Sequence, residues 1–150
     1  MEVRPKYAKP CPMNALEIQH LSKFLNPLFA VALVICAVRE LKKSSLLWIL
    51  CVAVALGIAQ QISKVVQNTR VVSDNFPSTH FAVSLVIGGA FWALGRKFVP
   101  AAVVFLVVYA GLILWQHYHT PLDLAGALYA LPMGFFAGRF GTRPRKVASN

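Results

Sequence analysis

The chain is expected to fold as an all-α, polytopic membrane helical bundle of about five transmembrane helices, led by a short N-terminal amphipathic segment. Three observations predict this class. The 150 residues are 57% hydrophobic and only 13% charged, with a mean hydropathy of +0.61. That is too apolar for an ordinary soluble domain. Ser44–Ser63 and Phe98–Leu122 are 20 and 25 residues without Lys, Arg, Asp or Glu, and a membrane-spanning helix needs roughly 20 mostly apolar residues. Two shorter runs, Phe24–Val38 and Leu124–Gly138, reach span length if their helices extend into the flanks and the bordering arginines snorkel.

Residues 1–23 read as an N-terminal arm. Pro5, Pro10 and Pro12 stand among Arg4, Lys6 and Lys9, so its start is irregular. Asn14 is placed to cap an amphipathic helix over Ala15–Lys23 that lies in the membrane interface. No early apolar region marks a signal peptide. The first span is Phe24–Val38, and Arg39, Lys42 and Lys43 form a basic turn. The second is Ser45–Ile62, followed by a loop over Lys64–Asn75. The third starts within Phe76–His80 and runs to Leu94, before the Arg96–Lys97 turn. The fourth is Val99–Trp115. A polar loop, His117–Asp123, leads to a fifth that ends near Phe140, and residues 141–150 are a basic tail. The whole is one domain. Cys11, Cys36 and Cys51 show neither metal-ligand spacing nor a disulfide framework.

The net charge of +10 raises nucleic acid as a partner, but the basic residues are scattered through short loops and two tails, which fits membrane flanks better. Five spans put Arg39–Lys43, Arg96–Lys97 and the tail on one side. The arm, the Lys64–Arg70 loop and the His117–Asp123 loop fall on the other. The positive-inside rule places the first group in the cytoplasm. The second then faces outward, or the periplasm in a double-membrane bacterium.

Three polar clusters gather on that outward face: Lys64 with Arg70, Pro77-Ser78-Thr79-His80, and His117 through Asp123. Each has a plain structural reading. Lys64 and Arg70 can set topology. Ser78 can cap a helix, as can Thr120 or Asp123. His80 can be an interfacial polar tip. Together they match the needs of a phosphate ester, whose oxygens require cations and N–H donors. Lys64 and Arg70 supply charge, and a helix starting near His80 offers free N–H groups. His119 and Asp123 are four residues apart, so a helix beginning at Pro121 lets the carboxylate fix the imidazole tautomer. One histidine can attack phosphorus while another protonates the leaving oxygen. A metal site at His117, His119 and Asp123, with His80, is an alternative; the phosphate reading needs neither metal nor cofactor.

Pro77-Ser78-Thr79-His80, with His119-Thr120-Pro121-Leu122-Asp123 and Leu124-Ala125-Gly126, resembles the second and third motifs of the type 2 phosphatidic acid phosphatase superfamily. The resemblance covers Lys64 to about Gly126. It implies that His119 is the nucleophile, oriented by Asp123, and that His80 is the acid for the leaving group. Ser78, the Thr79 backbone N–H, Lys64 and Arg70 would hold phosphate oxygens. The family acts without metal on lipid phosphates or polyprenyl pyrophosphates.

The chain departs from that pattern in several places. Leu112 and Ile113 stand where the third motif has serine and arginine. Arg70 is one residue closer to Lys64 than the first motif asks, and Val71 replaces its proline. Thr79 replaces glycine, and a Cβ there crowds a phosphate turn. The chain also reads one span short of the family's usual six. His117 or Gln116 is positioned to stand in for the missing donor, whose loss costs about 2–4 kcal/mol of transition-state stabilisation. The expected activity is metal-independent hydrolysis of a lipid phosphate, with an outward-facing polyprenyl pyrophosphate as first candidate and phosphatidic acid or phosphatidylglycerol phosphate as others. The alternatives are a lipid phosphotransferase and a catalytically reduced relative that binds or transports a lipid phosphate.

Overall fold

Apolar runs become helices, and the polar residues between them mark where the chain reverses. The computed structural model describes the backbone of residues 15–69, 72, 76–116 and 119–142, with side chains from Phe24 onward. Six α-helices lie within those residues: α1 (Ala15–Leu41), α2 (Ser45–Thr69), α3 (Thr79–Leu94), α4 (Val99–Trp115), α5 (Pro121–Gly126) and α6 (Ala130–Gly141). No strand occurs among the described residues.

Long-range hydrogen bonds fix the directions. Asn26, early in α1, reaches the His80 carbonyl at the start of α3. Gln67, late in α2, reaches the Pro77 carbonyl beside it. The start of α1 and the end of α2 therefore share one end of the bundle, so the chain has turned back between them. Lys42 makes that reversal with φ 49°, inside a single 3₁₀ turn over Lys42–Ser44 that the Ser45 hydroxyl closes by donating to the Lys42 carbonyl at 2.6 Å. At the opposite end Lys97 meets Glu40 at 2.6 Å, which makes α1 and α3 run the same way. Tyr109, in the second half of α4, returns to Asn26. Gly141, at the end of α6, packs on Trp48, near the start of α2. The turns at 42–44 and 95–98 and the end of α6 thus lie at one end. The start of α1, the end of α2, the start of α3 and the end of α4 lie at the other.

The middle of the bundle is α3. Ten of its residues, from Phe81 to Phe91, are buried, and only His80 and Trp92 are exposed. A helix apolar on every side suits a position surrounded by others. Phe29 of α1 stacks on Phe105 of α4 with ring centres 3.7 Å apart, and lies 5.0 Å from Phe91 of α3. On the opposite flank α3 and α6 touch backbone to backbone. A Cβ on Gly134 would run into the Val86 carbonyl oxygen, and one on Gly89 would run into the Leu131 carbonyl oxygen. The small residues of α6 therefore serve packing within the chain. The outward faces are apolar instead: Val31, Val34 and Val38 of α1, Leu46, Leu50 and Val54 of α2, and Val103, Val104 and Val107 of α4 are all exposed.

The structure revises several expected boundaries. The interfacial helix over Ala15–Lys23 and the first span are one continuous helix that passes through Pro27; Asn14 lies outside the described residues. The second span continues to Thr69, so Lys64 stands on a helix and not in a loop. A backbone already held by the helical ladder continues until its polar groups find other partners, and apolarity alone does not end it. The fifth span is broken into α5 and α6. The chain between them tightens into i→i+3 turns, with Ala127 N–H on the Leu124 carbonyl and Ala130 N–H on the Ala127 carbonyl. That break seats the Phe76 ring against Gly126, where any Cβ would collide with it. It also turns Tyr129 so that its hydroxyl donates to the Ala59 carbonyl at 2.7 Å and meets Ser63 Oγ at 2.8 Å.

Two stretches are long and apolar enough to cross a membrane, Phe24–Thr69, which contains the α1–α2 reversal, and Arg96–Trp115. At 16 and 12 residues, α3 and α6 extend about 24 and 18 Å, short of a hydrocarbon layer about 30 Å thick.

Candidate functional site

The residues from Pro77 to His80 are held from three directions. Gln67 Nε2 donates to the Pro77 carbonyl at 2.8 Å. The Ser78 N–H donates to the Asp123 carbonyl at 3.0 Å. Asn26 Nδ2 donates to the His80 carbonyl at 3.0 Å. Ser78 is the N-cap of α3: its backbone is extended, and its Oγ accepts the Phe81 N–H at 3.3 Å. That takes up one of the four N–H groups a helix start leaves without an intrahelical acceptor. The Ser78 carbonyl accepts from Ala82 at 2.9 Å. The N–H groups of Thr79 and His80 have no acceptor among the described residues, and they form the open end of a 16-residue helix, where partial positive charge favours an anion.

Across from this turn, Thr120 begins α5 with a capping box. Asp123 Oδ2 accepts the Thr120 N–H at 2.8 Å, and Thr120 Oγ1 accepts the Asp123 N–H at 3.3 Å. Pro121 takes the first helical position, where a missing N–H has no cost. The box holds Asp123 at 3% exposure, with its carboxylate turned back toward His119. His119 Nδ1 lies 3.8 Å from Asp123 Oδ2, and the imidazole is 13% exposed. Nδ1 is buried and makes no hydrogen bond; at that separation the contact is electrostatic, too long for a hydrogen bond. Burial pushes the His119 imidazole below its ordinary value of 6.5, the Asp123 carboxylate pulls the other way, and the neighbouring His80 adds to the depression. The two histidines are thus close enough to feel each other's charge, although 39 residues separate them in the chain.

The structure brings His80, His119, Asp123, Ser78 and Thr79 to one end of the bundle. Ser78 is fully buried and its oxygen serves the cap, so the structural role weighed for it is present. Thr79 is half-buried as the first residue of α3. Lys64 lies at the same end, one turn before Gln67, but is exposed and makes no hydrogen bond or ion pair among the described residues. Arg70 and His117 lie outside the described residues. Ile113 is 4% exposed and belongs to the hydrophobic core. Among the described residues no three His, Cys, Asp or Glu side chains gather as metal ligands do. Two apolar indentations of about 480 and 520 Å³ lie elsewhere, one between α1 and α4 and one on the outer face of α2.

Sequence reasoning did not single out Asn26, Gln67, Ser84 or Tyr109. Asn26 Oδ1 accepts from Ser84 Oγ at 2.5 Å, and Asn26 Nδ2 also donates to Tyr109 Oη at 3.1 Å. A signal for Asn26 existed: an amide next to proline inside an apolar run is costly in hydrocarbon unless it has partners. Gln67 gave none, because it stood in what read as a loop.

In chemical terms the site offers a half-buried imidazole backed by a carboxylate, a second imidazole close by, and an open helix start. Comparison with family models, with curated proteins and with solved structures finds nothing that matches this chain.

Proposed function

We propose that the protein is a metal-independent membrane lipid phosphatase, a member of the type 2 phosphatidic acid phosphatase superfamily that works through a phosphohistidine on His119. The observation that carries this reading is the pairing of two sequence-distant motifs: the Ser78 N–H bonded to the Asp123 carbonyl, which brings the segments carrying His80 and His119 to the same end of the bundle. The substrate phosphate would sit on the Thr79 and His80 N–H groups, with Lys64 and Arg70 adding charge and His117 standing in for the arginine absent at Ile113. His119 attacks phosphorus through Nε2. The bond from phosphorus to the leaving oxygen breaks, and His80 gives that oxygen a proton. The positive charge that develops on His119 strengthens its attraction to Asp123 across 3.8 Å. Water then attacks the phosphohistidine, His80 takes the water's proton, and phosphate leaves with His119 restored. A nucleophile must be unprotonated, and the depressed His119 value keeps it so at neutral pH.

In this reading all five long segments, α1 to α4 and the α5–α6 pair, cross a bacterial inner membrane. The basic turns at Arg39–Lys43 and Arg96–Lys97 face the cytoplasm, and the site faces outward. An outward site suits recycling of a polyprenyl pyrophosphate carrier lipid; phosphatidic acid, phosphatidylglycerol phosphate and transfer to a second lipid are the other substrates and outcomes to be assayed.

The buried apolar Ile113 favours a second reading, a relative that binds or carries a lipid phosphate without cleaving it. One experiment separates the two. Purified protein in detergent with chelator is given a panel of lipid phosphates, and released phosphate is measured. The phosphatase reading expects release by the wild type and none by His119→Ala, with an acid-labile phosphate trapped on His119. Intact lipid retained without release supports the binder, and activity that needs a stoichiometric metal supports the metal site.

A further inference from the structure

We infer that Asn26 is a positioning residue for His80, acting through the His80 carbonyl; the inference rests on the phosphatase reading above. Three observations carry it. Asn26 Nδ2 donates to the His80 carbonyl at 3.0 Å across 54 residues of sequence. The same carbonyl lies 3.2 Å from Ser84 Oγ, whose one hydroxyl hydrogen goes to Asn26 Oδ1 at 2.5 Å, so the Asn26 amide is its side-chain donor. Asn26 is itself fixed, through Oδ1 to Ser84 and through Nδ2 to Tyr109. Its amide therefore joins α1, α3 and α4 at the turn where the Thr79 and His80 N–H groups are open.

The peptide bond that follows His80 shows what this does. Its carbonyl receives the Asn26 amide, and its N–H, on Phe81, donates to Ser78 Oγ. Hydrogen bonds in a chain polarise one another, so the Asn26 bond strengthens the cap that keeps Ser78 and the first turn of α3 in place. The same turn is tied to α5, which carries Asp123, by the Ser78 N–H on the Asp123 carbonyl, so holding the His80 carbonyl steadies His80 against that element. A general acid works only within hydrogen-bond reach of the leaving oxygen, and an error of about 1 Å in placement costs roughly 100-fold. Because Asn26 touches neither reacting atom, its effect falls on the two proton transfers His80 performs, of which only the first depends on the leaving group.

A leaving-group comparison tests this. The probes are para-dodecylphenyl phosphate and its ortho-nitro analogue, which share a tail, while the nitrophenolate departs with little help from an acid. Asn26→Leu keeps the size of the side chain and removes its hydrogen bonds. The expected result is a roughly 10- to 100-fold loss of kcat/KM on the unsubstituted phenyl ester and little change of kcat/KM on the nitro ester, because kcat/KM reports phosphoryl transfer to His119 and not the later hydrolysis that both esters share. Ser84→Ala should move the ratio the same way by less, and it carries the test if Asn26→Leu does not fold. Equal losses on both esters, or none, would show a merely structural amide and overturn the inference while the phosphatase reading stands. A wild type that cleaves neither ester nor any lipid phosphate overturns both.

Discussion

The contact between α3 and α6 predicts opposite signs for one substitution, glycine to alanine, at different places. At Gly134 the new methyl would collide with the Val86 carbonyl oxygen and stand 2.7 Å from its carbon and 2.8 Å from its Cα. Ordinary van der Waals contacts begin near 3.4 Å, and the atoms in the way are backbone, so no rotamer change relieves them. The two helices must separate by more than half an ångström. Overpacking of this kind costs about 1–3 kcal/mol. At Gly57 of α2 and Gly111 of α4 a Cβ meets nothing within 4 Å, and both lie inside helices. There alanine recovers the backbone entropy that glycine forfeits, about 0.5–1 kcal/mol. Gly134 also lies inside a helix, so that gain is common to both, and Gly134→Ala should be less stable than Gly57→Ala by roughly 1–3 kcal/mol, a difference of several degrees in Tm for a chain of this size. Thermal unfolding of the detergent-solubilised variants measures it. Because α3 carries His80 and α6 follows one short turn after α5, which carries Asp123, Gly134→Ala should also lower any activity, whereas Gly57→Ala should not. If Gly134→Ala melts with or above Gly57→Ala, the close approach of α3 and α6 is wrong, and so is the placement of the two motifs that depends on it.

Other outcomes follow from the same geometry. The His119 imidazole should titrate below 6.5 by NMR, since burial depresses it. In linkage terms the unfolded chain takes up that proton first, so the stability tied to neutral His119 is fully present above 6.5 and is lost as pH falls through the folded value; denaturant melts at pH 7.5 and 5.5 should show the lower stability on the acid side. Asp123→Asn should depress the imidazole further in the same titration, because the carboxylate is the largest influence raising it. Thr120→Ala removes one half of the capping box and should cost about 1 kcal/mol in a denaturant melt, with a smaller loss for Thr120→Ser. Ile113→Arg would restore the charge that the resembled motif carries, but at 4% exposure it places a cation in the core. A lower yield of folded protein by size exclusion is expected, and a stable variant with raised phosphatase activity would mean that this position faces the site.

How much of this was legible in one dimension varies by feature. Turns fell where Lys42, Gly95 and His119 stand, because charged and polar groups leave an apolar environment at great cost. Boundaries inside the polar segments were not legible: nothing in Lys64–Thr69 announces that the helix continues, since the Gln67 amide that holds its end finds its acceptor on Pro77. The break between α5 and α6 was equally hidden, because it answers to the Phe76 ring against Gly126 and to the Tyr129 hydroxyl on Ala59.

Sequence by itself determined the helical class, the alternation of apolar segments with polar turns, and the local device at Thr120–Asp123, whose partners lie within four residues of one another. Those depend on composition, period and short spacing, which a linear chain carries in full. Tertiary structure alone decided that the segments carrying His80 and His119 meet, through the Ser78 N–H on the Asp123 carbonyl, and that Asn26 reaches across 54 residues to hold the His80 carbonyl. Each of these is a contact between elements distant along the chain. Such distances depend on how closely two helices approach, and between α3 and α6 that approach is set by two glycines, Gly89 and Gly134, that leave room for backbone to meet backbone.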